Sequence, residues 1–200
     1  MSLQTQKRRE RERARRHQLI ITTARELAET EGWDAVTTRR LAERIEYSQP
    51  VLYSHFAGKN AIVAAAALEG FDELAAELSQ ARATADTPRQ ELVALARAYA
   101  DFGRAHPALY VAMFTLAVDL PFGRPDTPAP LQAAFRQFHE TMSTFADGRD
   151  CGVFAEVAWS ALHGLVTLTC AGRLPGDHHE RCLTTLIDQL TTPPERPPAP

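Results

Sequence analysis

The sequence has 200 residues, of which 44% are hydrophobic and 24% charged, and its formal net charge is −3 at pH 7. This is the composition of a soluble globular protein with a sizeable core, and no run of about eighteen apolar residues predicts a bilayer-spanning helix. The charge is uneven, because residues 1–60 carry 12 Lys or Arg against 8 Asp or Glu, whereas residues 61–200 carry 10 against 17. A basic amino-terminal third favours a polyanionic partner at that end, although a merely solvated charged surface explains it as well.

The first 14 residues are a basic extension that holds most of the run KRRERERARR, which ends at Arg16. No uncharged apolar stretch follows it, so it does not resemble a secretory signal, and we expect a cytoplasmic protein. The composition indicates a frayed helix or a disordered segment. The alternative is an arm that contacts the minor groove or the phosphates of DNA.

Residues 15–60 carry the pattern of three short helices. Apolar residues three and four apart predict a first helix from Arg15 to about Glu31. Thr37 is a plausible N-cap of a second helix, and Ser48 of a third that closes at Gly58. Since only about four residues separate the second helix from the third, the pattern predicts a helix-turn-helix unit.

The outer side of the predicted third helix bears polar or flat side chains and no acid. Gln49 can hydrogen-bond an adenine edge in two places, and Pro50 and Val51 offer apolar contact to a thymine methyl. Tyr53 and His55 have polar tips that suit phosphate oxygens. This composition favours a helix that lies in the major groove of double-stranded DNA.

Three flanking residues extend the predicted DNA surface. Lys59, at the start of the next helix, combines a cation with helix-terminal N–H groups and suits a phosphate. Thr38 and Arg39, at the start of the second helix, can add a phosphate contact and a guanine contact.

The segments TTRRLAERI and YSQPVLYSHFAGKNAIV resemble the helix-turn-helix of the TetR/AcrR family of bacterial transcriptional regulators over about residues 15–65. The residues at the family's spacing are Leu52, Tyr53, His55, Phe56 and Lys59. The resemblance implies base contacts for Arg39, Gln49, Pro50 and Tyr53. It implies phosphate contacts for Thr38, His55 and Lys59.

The turn of the motif departs from the family pattern. Ile45-Glu46-Tyr47 stands where the family usually has Ala-Gly-Val. A glycine there commonly adopts a left-handed conformation, which costs a residue with a side chain about 1 kcal/mol. Either the turn differs or Glu46 accepts the strain.

Periodicity predicts six more helices and no strand. They cover about residues 59–83, 88–105, 107–117, 129–146, 150–173 and 178–191. A proline-rich loop is expected at 119–130 and a proline-rich tail at 192–200. We therefore predict an all-α protein in which a helix-turn-helix domain (15–60) joins a six-helix ligand-binding and dimerisation domain (61–191).

The helix predicted over 150–173 is too apolar to face water on any broad side. A two-fold four-helix contact with residues 178–191 would bury it, which predicts a homodimer through residues 150–191. Trp159, His163 and Gly164 resemble the Trp-x-x-x-His-Gly signature of one subgroup of the family. That resemblance implies dimerisation through the last two helices and an effector pocket between the middle ones.

Aromatic and thioether side chains recur along the middle helices and are candidates to line that pocket, although we expect most of them to be core packing and only a minority to contact an effector. The candidates are Tyr99, Phe102, His106, Met113, Phe114, Phe138, Met142, Trp159 and His163. Their character favours a small apolar or aromatic effector over an anion.

Other classes of function find little support in the sequence. Motifs of nucleotide-binding, serine-hydrolase and zinc-peptidase sites are absent. A helical enzyme in which a Cys and a His form a nucleophilic pair across the fold is a remote alternative, which no spacing in the sequence proposes. The three cysteines never form C-x-x-C, so we expect free thiols, no metal and no cofactor. A helical adaptor for other proteins is the main alternative. The preferred hypothesis is a ligand-responsive regulator, most simply a repressor, that binds a palindromic operator.

Overall fold

The computed structural model describes residues 3–117 and 120–193, so most of the predicted tail lies outside the described residues. Within these ranges the fold is all-α and contains no strand, which confirms the predicted fold class. The α-helices are α1 (Leu3–Glu31), α2 (Thr38–Arg44), α3 (Gln49–Tyr53), α4 (Lys59–Arg82), α5 (Pro88–Ala105), α6 (Pro107–Phe114), α7 (Ala129–Ser143), α8 (Cys151–Cys170) and α9 (His179–Thr191). Two single-turn 3-10 helices lie at Trp33–Ala35 and Gly176–His178.

The chain packs as two compact units. Unit 1 comprises residues 1–70 and 106–126, and unit 2 comprises residues 71–105 and 127–200. Helix α6 belongs to unit 1, although the predicted domain boundaries assign it to the region 61–191. The predicted functional division stays a prediction, because units defined by packing need not coincide with functions.

Two hydrogen-bonded contacts hold α6 against α1 and the 3-10 turn that follows it. The Glu29 carboxylate accepts hydrogen bonds from the backbone N–H groups of Ala108 and Leu109, at 3.0 Å each. The Trp33 indole N–H donates to the Ala108 carbonyl at 2.7 Å. The first contact satisfies donors that the first turn of any helix leaves without an intrahelical partner.

Helix α1 begins twelve residues before the predicted start at Arg15, so the basic extension is helical from Leu3 onward. Residues 4–15 are all exposed, whereas Ile20, Ala24 and Leu27 are fully buried. Apolar periodicity identifies only the buried part, because a helix without a buried face leaves no such pattern.

Glu46 adopts the left-handed conformation in the turn between α2 and α3, with φ at 57°. The Tyr47 N–H donates to the Ala42 carbonyl at 2.9 Å and the Ile45 N–H to the Leu41 carbonyl at 3.0 Å. The Tyr47 bond is the six-to-one bond of a Schellman motif, which normally favours glycine at the left-handed position. Of the two alternatives for this turn, the structure therefore has Glu46 accepting the strain.

In unit 2, helices α5, α7, α8 and α9 pack on one another. Helix α8 buries Phe154, Leu162 and Val166, while Val153 and Val157 on another face are more than half exposed. By length and composition alone α8 could cross a membrane, which the sequence did not predict because polar residues such as Glu156 and His163 interrupt its apolar residues. Its buried face lies in the core of unit 2, so composition is weak support for a membrane span.

Candidate nucleic-acid interface and effector site

Helix α3 is anchored by its inner side and open on its outer side. Leu52 and the following Phe56 are buried. Gln49 and Pro50 are exposed, and Tyr53 has 54% of its surface open to solvent. Val51 is half-buried at the edge of this face. Gln49, Pro50 and Tyr53, three of the side chains predicted to read bases, therefore lie in solvent on a helix of five residues.

The start of α2 lies beside the end of α3. Thr37 is the N-cap of α2 and its side chain accepts a hydrogen bond from the Arg40 N–H at 3.2 Å, as predicted. The hydroxyls of Thr38 and Tyr53 are 3.4 Å apart. Thr38 and Tyr53 thus contribute to one continuous surface.

The Arg39 guanidinium is exposed and pairs with the Glu43 carboxylate at 2.9 Å, a contact that raises the pKa of Arg39. Since the two residues lie one helical turn apart and both side chains are exposed to solvent, the ion pair contributes little to the stability of the fold. A guanine or a phosphate can therefore replace Glu43 at small cost.

His55 lies just after α3 and is half-buried. Its Nδ1 atom is buried and has no hydrogen-bond partner within the described part of the chain. Burial lowers the pKa of His55, and the nearby His17, Arg13 and Arg16 lower it further. The imidazole is therefore neutral at pH 7. A proton on Nε2 is the better tautomer, because it leaves a lone pair rather than an N–H group unsatisfied.

Lys59 has a structural role that the sequence did not predict. Its Nζ atom donates to the Trp33 carbonyl at 2.6 Å. An ammonium group has three donors, so this bond leaves donors for another acceptor. The contact fixes the start of α4 against the 3-10 turn that follows α1.

A basic groove beside α3 was also missed by the site prediction. We call it the arginine groove; it has a volume of about 710 Å³. Its lining comprises Arg8, Arg9, Glu12, Arg13, Arg16, Ser54 and His55. Its five charged residues on α1 recur at positions i, i+1, i+4, i+5 and i+8, the spacing of one helical face. This spacing indicates the groove only if the predicted first helix begins at Leu3 rather than at Arg15.

Six of the nine effector candidates lie in unit 2, and Tyr99 is at their centre. Its hydroxyl accepts a hydrogen bond from the Trp159 indole N–H at 3.1 Å and lies 3.0 Å from the His163 Nδ1 atom. The Phe138 ring meets the Tyr99 ring edge-on, with centroids 5.3 Å apart. Phe102 and Met142 are buried in the same unit. We call Tyr99, Trp159 and His163 the aromatic triad.

His163 continues the triad toward solvent. Its Nε2 atom is 3.4 Å from the Thr167 hydroxyl, and burial lowers the pKa of the imidazole. A neutral ring has one donor nitrogen and one acceptor nitrogen. Because Tyr99 and Thr167 each offer a hydroxyl, the ring can satisfy both nitrogens in either tautomer.

The remaining three effector candidates, His106, Met113 and Phe114, lie in unit 1. Met113 is buried beside Gly70, where an added Cβ atom would lie 2.7 Å from the Met113 sulfur. The Phe114 ring is 4.8 Å from the Tyr110 ring. His106 precedes α6 as its N-cap residue. The sequence did not predict that the nine candidates divide between two units.

The exposed face of α8 carries an apolar stripe at helical spacing. Val153, Val157 and Leu168 are 58%, 56% and 46% exposed. Gly164 lies on the same side and has open space around its missing Cβ atom. Such a stripe normally lies against another apolar surface.

Among the described residues no group of three or more His, Cys, Asp or Glu side chains could hold a metal ion.

Two family profiles match the chain. Residues 20–66 match the bacterial regulatory proteins of the tetR family, and residues 92–190 match the tetracyclin repressor-like C-terminal domain.

Individual proteins agree with the two profiles. An HTH-type transcriptional regulator of Mycobacterium tuberculosis is 28% identical over 181 residues, which cover 88% of this chain and 80% of that protein. The tetracycline repressor class C of Escherichia coli is 40% identical over 72 residues, or 36% of this chain and 29% of the repressor. The crystal structure of PfmR, a TetR family regulator from Thermus thermophilus, superposes with a TM-score of 0.64 at 19% identity. The superposition covers 88% of this chain and 99% of PfmR.

Proposed function

Because the chain belongs to the TetR family of bacterial regulatory proteins and is a ligand-responsive DNA-binding transcriptional regulator, we propose that it is a repressor of a palindromic operator. The observation that carries the proposal is the outer face of α3, which is exposed and free of acids. A carboxylate there would be repelled by the two rows of phosphates that flank a major groove. TetR-family regulators dimerise and bind small-molecule effectors.

Base readout belongs to five residues on this surface, which are Arg39, Gln49, Pro50, Val51 and Tyr53. Gln49 bonds an adenine edge, Arg39 a guanine edge, and Pro50 with Val51 packs on a thymine methyl. Tyr53 contacts a neighbouring base while its hydroxyl stays near Thr38.

Phosphate contacts belong to Thr38, His55 and Lys59. The neutral His55 ring donates through Nε2, and Lys59 donates through the protons that Trp33 does not use. These contacts fix the position of α3 on the duplex without reading the sequence.

The dimer forms through residues 150–191, with the apolar stripe of α8 at its centre. A stripe that includes Gly164 lets a second copy approach closely, and α9 completes a four-helix contact. Two recognition helices then lie about 34 Å apart, one turn of duplex, which suits a palindrome.

The effector is a small apolar or aromatic molecule. The side chains that support this class are rings and thioethers with a few polar atoms, such as those of the aromatic triad. Effector binding releases DNA only through its differential affinity for two dimer geometries, and a difference of about 3 kcal/mol would change operator affinity by roughly two orders of magnitude. We place this activity in the cytoplasm, where the regulated DNA is.

Selection of bound duplexes from a random pool tests the proposal. We expect enrichment of a palindrome with half-sites one turn apart. Failure to enrich any sequence, with a folded dimeric protein, would favour the alternative of a protein-binding adaptor. Enrichment of a single unrepeated half-site would remove the proposed symmetry.

A further inference from the structure

The amino-terminal half of α1 extends from the fold as an exposed helix. Residues 4–15 are exposed on every side, yet the helix continues without a break from Leu3 to Glu31. An exposed helix of this length is marginal in water on its own. Its local support comes from pairs one turn apart, Gln6 with Glu10 at 3.2 Å and Arg16 with Glu12 at 3.1 Å.

The charge of this segment is concentrated. Residues 3–17 hold seven Lys or Arg against two Glu, a net of +5. Four of the arginines line the arginine groove with Ser54 and His55, and they are Arg8, Arg9, Arg13 and Arg16. Glu12, the one acid in the lining, is already paired with Arg16. The groove therefore favours an anion.

The groove adjoins the proposed recognition helix. Ser54 is the C-cap of α3, and His55 is the next residue. Burial lowers the pKa of His55, and the neighbouring His17, Arg13 and Arg16 lower it further, which places these basic groups around His55. A phosphate at this place would interact favourably with all of these groups. The anion that lies immediately beside a helix in the major groove is the DNA backbone.

We propose that the arginine groove binds the sugar-phosphate backbone just outside each operator half-site, so that the extension of α1 lengthens the DNA footprint. The inference rests on the proposed repressor function. At 1.5 Å per residue, the twelve exposed residues 4–15 span about 18 Å. This is the length of about five base pairs at 3.4 Å each. The contact adds affinity and salt dependence but no choice of sequence.

The test compares two double variants of the full-length chain. Arg9→Ala with Arg13→Ala removes two charges from the groove. Lys7→Ala with Arg11→Ala removes two charges from the side of α1 that does not line the groove. Alanine favours helix at all four positions, and circular dichroism checks that the helix content is unchanged.

Each protein is titrated with the selected palindrome in two forms, one trimmed to its outermost specified base pair and one flanked on both sides by about five base pairs. We expect the groove variant to bind the flanked duplex about tenfold or more weakly, with a slope of log affinity against log salt that is smaller by about 3 to 4 for four lost phosphate contacts per dimer. On the trimmed duplex it should match the wild-type protein. The control variant should resemble wild type on both.

Wild-type behaviour of the groove variant on the flanked duplex would overturn the inference while leaving the repressor proposal intact. Equal losses for both double variants would also overturn it, because a general effect of net charge would then suffice. If the wild-type protein selects no palindrome, the repressor proposal fails, and the inference that rests on it is overturned with it.

Discussion

The proposed DNA surface and the aromatic triad show two ways in which this chain arranges functional side chains. Gln49, Pro50 and Tyr53 lie within five residues on one short helix and extend into solvent. Tyr99 and Trp159 are sixty residues apart and meet through a hydrogen bond in a packed unit. We therefore expect a substitution on the DNA surface to remove one contact only. A substitution in the aromatic triad should instead affect the hydrogen bonds of the other two members.

The largest expected effect is loss of the dimer, because the DNA surface is expected to bind an operator only when a second copy of the chain is present. We predict that Val157→Asp, which places a charge in the middle of the α8 stripe, converts the dimer to a 22.1 kDa monomer and abolishes operator binding at nanomolar concentration. Light scattering measures the mass. Gln80→Asp adds the same charge to an exposed position of α4 and should stay dimeric. A dimeric Val157→Asp protein would contradict the proposed interface.

Substitutions in the aromatic triad should lower the free energy of unfolding in a coupled way. Tyr99→Phe leaves the Trp159 N–H and the His163 Nδ1 atom without their shared hydroxyl, at a cost of about 1 to 3 kcal/mol in the free energy of unfolding. Chemical denaturation measures it. In combination with Trp159→Phe the two losses should be less than additive, since both remove the same hydrogen bond. Strict additivity would show that the triad is not a unit.

The DNA surface predicts a local loss instead. Gln49→Ala should weaken binding to the best operator by about 1 to 3 kcal/mol and binding to random DNA much less. Stability should be unchanged because Gln49 is exposed. Titration of both duplexes with one protein preparation gives the two affinities. Equal losses on both duplexes would exclude Gln49 from base readout.

The turn between α2 and α3 predicts the smallest effect. Glu46→Gly relieves the left-handed strain and should stabilise the protein by up to about 1 kcal/mol, less the entropy that glycine loses on folding. Glu43→Gly inside α2 is the matched control and should destabilise it by a similar amount. Thermal unfolding distinguishes the two, and destabilisation by Glu46→Gly would mean that the Glu46 side chain contributes more than its strain.

Local signals in the sequence were sufficient where the structure is local. Pro88 and Ala105 bound α5 as predicted, and Thr37 caps α2, because a proline or a capping side chain acts within one turn. The acid-free face of α3 was equally visible, since five consecutive residues define it.

Long-range contacts left no such signal. The hydrogen bonds that Glu29 accepts from Ala108 and Leu109 join residues about eighty positions apart, so nothing in the sequence assigned α6 to unit 1. The bond from Lys59 to the Trp33 carbonyl likewise depends on how two turns meet in space. The exposed start of α1 was missed for another reason, because hydrophobic periodicity detects burial rather than helix.

The hydrogen bonds to Glu29 fix α6 at its first turn. Its first turn is held to α1 by the Glu29 carboxylate and to the 3-10 turn after α1 by the Trp33 indole, while Phe114 is the residue at its other end. A helix that is held at one end is expected to tilt about that end rather than slide along its axis. We therefore expect a displacement of α6 to act on α1 through the Glu29 carboxylate, and loss of that carboxylate to loosen the contact between the two helices.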